Sequence, residues 1–404
     1  MNTLETCWKD RLGKLATQRK DRLVEVMRKT NLPALLVLDS VNIMYATGAS
    51  NMTIFSIRTP ARYLLILADG PTILFEYFGS EHLAKNLTTI DEVRPARGLC
   101  YVSSGGDPVA QARGLATEIS NIFKDLDLSV DQLAIDRFPI ACIDALRSEG
   151  YTLTDADAIF SAARRVKLAG EIEVIEEALA RVTQAASEME SLIEPGRSEV
   201  EIWANFQRSF LASEGRYIST RLLQSGNRTY PYFQEAGPRK LESGELLCFD
   251  TDAVGFAGYC TDFSRTYLCG DTPASATQLE LYGRAREQLD HNVALFTPSA
   301  SFEEIAARAW PVPPEHQSSR YYCIGHGLGM SGEFPNIPPY VPGKPYLLQG
   351  ELQTGMVICV ESYVGSEIAG QGVKLEDQLL ITESGTKRMS ANVPFDERLM
   401  SREF

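Results

Sequence analysis

The sequence predicts a two-domain chain of the α/β (α+β) class, with a small N-terminal α/β domain over residues 1–165 and a strand-rich C-terminal domain over residues 166–404. Three observations carry this expectation. A chain of 404 residues exceeds what one hydrophobic core ordinarily serves. Short apolar runs alternate with helix-period segments throughout the first domain. Beyond it, a long amphipathic helix pattern gives way to two-residue alternation, the period of strands.

The elements follow in order. "LVEVMRKTNLPALLVLDS" reads as a helix entering a buried strand at Ala34–Leu38. "ARYLLILADGPTILFEY" is a strand, a turn at Asp69-Gly70-Pro71, and a second strand. "DPVAQARGLATEISNIFKDL" has helical spacing, and "QLAIDR" is another short strand. The domain boundary is expected near Arg164–Gly170. Ile172, Val174, Ile175, Ala178, Leu179, Val182, Ala185 and Ala186 then form one face of a long helix, which Pro195-Gly196 ends. A second helix starts near Glu199, and others are expected at Ala276–Phe296 and Phe302–Ala309. "ELLCFDTD", "GMVICVESYVG" and "VKLEDQLLIT" alternate as strands, and "FPNIPPYVPGKPY" is a loop.

The composition, 44% apolar and 23% charged, is that of a soluble globular protein. A net charge of −14 argues against nucleic acid as a partner, because phosphates repel an acidic surface. The start is polar, with no apolar signal-peptide core, and no run approaches the length of a membrane span. The eight cysteines are scattered without a CxxC pair, so free thiols and a cytoplasmic location are expected.

The carboxylates of "CFDTDAVGFAGYCTDFSRT" demand a partner. Residues i and i+2 of a strand point to the same face, so Asp250 and Asp252 are expected to project together from it. The glycine-containing segment that follows turns the chain, and Asp262 returns on the next strand. Like charges so placed need a cation, a shared proton or full solvation. "CIGHGLGM" adds His326 between glycines, and "CVESYVG" and "VKLEDQLLIT" add Glu361 and Glu376 within apolar strands. Two divalent metals bridged by carboxylates are the simplest use of this set; hard oxygen ligands suit Mg, Mn and Fe(II), and zinc accepts them. Asp377, beside Glu376, falls on the opposite strand face, and Arg265 is assigned a structural role, pairing with an aspartate or holding a strand.

The order Asp, Asp, Asp, His, Glu, Glu resembles the creatinase, prolidase and methionine aminopeptidase superfamily, the pita-bread fold. "VNIMYATGAS", "RRVKLAGEIEVI", "SGNRTYPY", "DFSRTY", "GHGLG", "VES" and "LEDQLLIT" are similar to its motifs in the right sequence. The resemblance implies a pita-bread metal-binding catalytic domain and a homodimer in which one subunit's N-domain closes the other's site. The superfamily's peptidases carry two further histidines near the metals; Tyr232 and Glu333 stand at those positions here, and His82, His291 and His316 fall outside the motifs. The dimethylsulfoniopropionate (DMSP) lyase branch is more similar, with its doubled first aspartate and without those histidines.

By this resemblance Asp250, Asp252, Asp262, His326, Glu361 and Glu376 bind two divalent ions, iron foremost, with manganese or zinc as alternatives. Tyr321 matches a pocket aromatic, and Phe55 an aromatic contributed by the N-domain. That branch places its base six residues after the ligand histidine; Gly332 occupies the position, and Glu333 is next to it. The implied reaction is β-elimination of DMSP or a related small carboxylate. Glu333, then Tyr321, are the proton-handling candidates, and Phe55, Tyr230, Tyr232 and Tyr322 are candidates to hold a cationic head by cation–π attraction. A metallohydrolase acting on an amide or C–N bond is the alternative, and a non-catalytic binding protein the third reading.

Overall fold

Ala34–Val37 carries no polar side chain, and it becomes a strand buried along its whole length. It lies in the N-terminal of two units, Met1–Arg164 and Arg165–Phe404, in a computed structural model that describes residues 3–400, with side chains from Trp8 onward. The N-terminal unit runs α1 (Thr3–Lys29), β1 (Ala34–Val37), α2 (Ser40–Thr47), α3 (Thr53–Arg58), β2 (Tyr63–Leu67), β3 (Thr72–Glu76), β4 (Glu92–Pro95), α4 (Pro108–Asp125), β5 (Gln132–Ile135), α5 (Ile140–Ser148), β6 (Thr152–Asp155) and α6 (Asp157–Arg164). Its six strands form one mixed sheet in the order β4-β3-β2-β1-β5-β6. Leu36, Leu65, Phe75, Leu115, Ile119 and Leu133 share its core. Asp39 caps α2 by accepting from the amides of Val41 and Asn42, and left-handed Gly48 ends it.

The C-terminal unit begins with α7 (Ala169–Glu190) and α8 (Glu199–Ala212). Short strands follow: β7 (Tyr217–Ile218), β8 (Leu223–Ser225), β9 (Leu246–Asp250), β10 (Ala253–Val254), β11 (Cys260–Thr261) and β12 (Ser264–Leu268). Then come α9 (Ala276–Leu295), α10 (Phe302–Arg308), β13 (Gly325–Leu328), β14 (Gly332–Ile337), β15 (Val357–Ser366), β16 (Gln371–Thr382) and β17 (Gly385–Arg388). Three sheets result, ordered β11-β10-β7, β12-β9-β8 and β14-β13-β15-β16-β17.

Strand parity in β15 and β16 organises this unit. Ile358, Val360 and Val364, with Val373, Leu375, Leu379 and Ile381, join Leu281, Ala285 and Leu289 of α9 in one core. The intervening residues Cys359, Glu361 and Tyr363, with Lys374, Glu376 and Gln378, therefore project from the other face. That face is buried too, so the sequence alternation separates an apolar face from a buried polar one, rather than core from solvent. Cys7 lies outside the described side chains, and the other seven cysteines are free thiols. No helix among the described residues is long and apolar enough to cross a membrane.

Candidate metal centre

The six candidate ligands converge from five segments of the C-terminal unit. Asp250 is the last residue of β9, paired with Ser264 of β12. Asp252 lies beyond the strand end with φ +39°, so a left-handed kink, not strand alternation, carries it to the cluster. β10 and β11 then pair Ala253 with Thr261 and return Asp262 alongside. His326 sits on β13, wedged between β14 and β15. Its neighbours must be small: a Cβ on Gly325 would lie 2.7 Å from the Cys359 carbonyl oxygen, and one on Gly327 2.5 Å from that of Phe334. Glu361 and Glu376 face each other directly across β15 and β16.

Ligand-capable atoms of Asp250, Asp252 and Asp262 lie within 4.8 Å of one another, and so do those of Asp262, His326, Cys359 and Glu376. Asp262 belongs to both groups, as a bridging ligand would. His326 Nε2 is 3.8 Å from Asp262 Oδ2, 3.5 Å from Glu361 Oε1 and 3.8 Å from Glu376 Oε1. Among the described atoms, Asp250 Oδ1 and Glu376 Oε1 are buried without a hydrogen-bond donor. Orphaned carboxylate oxygens in a protein interior are costly, and a divalent cation satisfies them. The donor set, five carboxylates and one imidazole, fits hard to borderline divalent metals.

Electrostatics records the same crowding. Burial, then the charges of Glu376, Asp252 and Asp250, hold the Asp262 carboxyl well above its ordinary range. Burial and Glu361 push Glu376 up to about 8, and burial and Asp250 push Asp252 up to about 6. For His326 burial opposes the charge, but Glu361 and Glu376 outweigh it and raise the imidazole to about 9.

One residue of this cage escaped the sequence reading. Lys374, fully buried, extends its ammonium to Glu361 Oε2 at 2.5 Å, Ser264 Oγ at 2.7 Å, Glu376 Oε2 at 3.0 Å and Asp250 Oδ2 at 3.5 Å. Burial disfavours its charge, yet Asp250, Glu361 and Glu376 hold the ammonium well above the ordinary lysine range. The signal was present: Lys374 is two residues before Glu376 in one strand, hence on its face. Cys359 stands in the same relation to Glu361. Asp377 turns to the other face and pairs with buried Arg265 at 2.9 Å.

A cavity of about 780 Å³ opens onto the cage. Asp250, Asp252, Asp262, His326 and Glu361 line it together with Phe233, Tyr321, Tyr322, Gly332 and Glu333. Phe233 and Tyr321 stack at 5.3 Å between ring centroids, and Tyr321 and Tyr322 lie 4.9 Å apart, giving a continuous aromatic wall. Phe233 was not anticipated; its own φ of +67° presents it there. Tyr232 is buried behind the cage, where its hydroxyl donates to Asp250 Oδ2 at 2.8 Å. Tyr230 packs against Gly365 and is not among the lining residues. Phe55 belongs to the N-terminal unit, on α3, half exposed with its ring edge-on to Tyr77. Glu333 accepts from Lys167 Nζ at 2.7 Å and from the Met330 amide at 3.2 Å. No local pattern announces a pair 166 residues apart in sequence.

The comparisons with known proteins agree with this geometry. Residues 173–383 match Metallopeptidase family M24, and residues 19–166 match the Creatinase/Prolidase N-terminal domain. The chain is 30% identical to the dimethylsulfoniopropionate lyase DddP of Roseovarius nubinhibens over 97% of this chain and 89% of that one. It is 31% identical to the DddP of Roseobacter denitrificans over 95% and 87%. Among solved structures, the prolidase of Pyrococcus horikoshii superposes with a TM-score of 0.75 at 22% identity, covering 95% of this chain and all of that one. The C-terminal unit thus has the pita-bread fold, and the chain belongs to metallopeptidase family M24.

Proposed function

We propose that this protein is a two-metal lyase that cleaves DMSP, or a closely related small carboxylate, by β-elimination. The observation that carries the reading is the pairing, in one cavity, of the carboxylate cage with the Phe233–Tyr321–Tyr322 wall, where His326 is the one imidazole among the lining residues. The similarity to two proteins named DMSP lyases supports it. Asp250, Asp252, Asp262, His326, Glu361 and Glu376 hold the ions, iron foremost with manganese or zinc as alternatives, and the ions when bound supply Lewis acidity to the substrate carboxylate.

The chain's own residues do the rest. The aromatic wall receives the sulfonium through cation–π attraction. Glu333, oriented by its ion pair with Lys167, takes the proton α to the carboxylate. The Cα–H electron pair becomes the Cα–Cβ double bond, the Cβ–S bond breaks, and sulfur leaves with its electron pair. The products are acrylate, dimethyl sulfide and a protonated Glu333. Tyr321, whose phenol burial and Glu361 hold far above its ordinary range, stays neutral and acts as a donor.

The test is metal-loaded protein given DMSP, with headspace chromatography for dimethyl sulfide and an Xaa-Pro dipeptide as the parallel substrate. Dimethyl sulfide without dipeptide cleavage supports the lyase; dipeptide cleavage alone establishes the hydrolase reading, in which the Lys167–Glu333 pair would protonate a leaving amine. We also infer a homodimer. Ile54, Phe55, Ile57 and Phe78 are exposed on the N-terminal unit, and a subunit contact would cover them. Free thiols at all seven described cysteines suit a cytoplasmic setting.

A further inference from the structure

We infer that Lys374 is the positioning residue of the metal cage: its fixed ammonium turns the metal-binding oxygens inward and supplies the last positive charge that a cage with two divalent ions requires. The inference rests on the two-metal reading and says which side chain makes that cage possible.

The contacts divide each carboxylate in two. Glu376 gives Oε2 to Lys374 and to the Ser264 hydroxyl, at 3.0 and 2.7 Å, while its Oε1 is buried and unpartnered. Asp250 gives Oδ2 to the Tyr232 hydroxyl at 2.8 Å, with Lys374 at 3.5 Å, while its Oδ1 is buried and unpartnered. Glu361 gives Oε2 to Lys374 and turns Oε1 towards His326. In each case the oxygen that faces Lys374 is not the one left unpartnered or turned towards His326. One ammonium thus sets the rotation of three carboxylates from β9, β15 and β16.

Charge points the same way. Two divalent ions leave five carboxylates one positive charge short, and Lys374 provides it. It is fully buried, with the Tyr321 and Tyr232 ring centroids 5.0 and 5.7 Å from Nζ. Without it, a dinuclear centre would bury a net negative charge, which low-dielectric surroundings penalise.

The experiment is Mn(II) titration of chelator-stripped wild type and Lys374→Met, with bound metal measured by equilibrium dialysis and folding by circular dichroism. The expected result is two ions per wild-type chain, and a folded variant whose second ion binds at least tenfold more weakly. Two ions at wild-type affinity in the variant, or tighter binding, would overturn the inference; the latter would make Lys374 a competitor of the metal. A wild type that takes up no Mn(II) would fail the two-metal reading itself and bring the inference down with it. Should Lys374→Met not fold, Ser264→Ala takes its place. It removes the hydroxyl shared by Lys374 and Glu376 while leaving every charge, and it should still weaken Mn(II) binding several-fold; unchanged affinity there counts against the positioning network.

Discussion

Replacing Gly332 by aspartate puts a carboxylate on the cavity wall at the position where the resemblance to the DMSP lyases implies a base. The structure sets the cost of the change. Gly332 opens β14, is exposed, and adopts no left-handed backbone, and a Cβ there would meet no atom within 4 Å. An added side chain also narrows the unfolded ensemble, worth about 0.4–1 kcal/mol in favour of folding. Crowding against the neighbouring Glu333 charge offsets this by about 0.5 kcal/mol. Stability should therefore move by less than about 1 kcal/mol. A well-placed general base contributes about 100- to 10,000-fold to a rate. With Glu333 already placed as the base, Gly332→Asp adds a second carboxylate rather than the first, so we expect the rate to change by less than about tenfold. The assay is dimethyl sulfide release at saturating DMSP, with wild type and variant matched for metal content and thermal midpoint. A folded, metal-replete variant that releases dimethyl sulfide about 100-fold faster than wild type would show that the base was missing, and would refute Glu333 in that role.

Four further outcomes are expected. Glu333→Gln should lower dimethyl sulfide release about 100-fold or more with metal content intact, and full activity would dismiss Glu333 as the base. Metal loading at neutral pH should release protons, because His326 and Glu376 hold theirs up to about 9 and about 8 in the metal-free protein. Apparent affinity should thus climb from pH 6 to pH 9, as followed by dye-detected proton release, and a flat profile would contradict these shifts. Asp377→Ala should destabilise the fold by about 3–5 kcal/mol in a denaturant titration, since it leaves buried Arg265 without its counter-charge. Tyr322→Leu should raise KM for DMSP more than it lowers kcat, a loss of about 1 kcal/mol of cation–π binding, and an unchanged KM would remove Tyr322 from the sulfonium subsite.

Local periodicity made much of this protein legible. Strands with a two-residue period declare their faces, so the shared face of Glu361 and Glu376, and the turn of Asp377 to the opposite face, follow from parity alone. The long apolar stripe of α7 likewise follows from short-range rules, although the helix ends at Glu190 and not at Pro195-Gly196. The same parity places Lys374 beside Glu376, but it cannot say that the ammonium meets Asp250 and Glu361 from other strands. Asp252 joins its neighbours through a left-handed residue that no alternation rule anticipates. Phe233 reaches the aromatic wall, and Tyr230 does not, through the path of an irregular loop. Lys167 finds Glu333, 166 residues away in sequence. The sequence by itself determined which residues share a face, because covalent geometry repeats with a fixed period. Only the tertiary structure decided which of them meet, because charges bury together only where the folded chain brings them within a few ångströms.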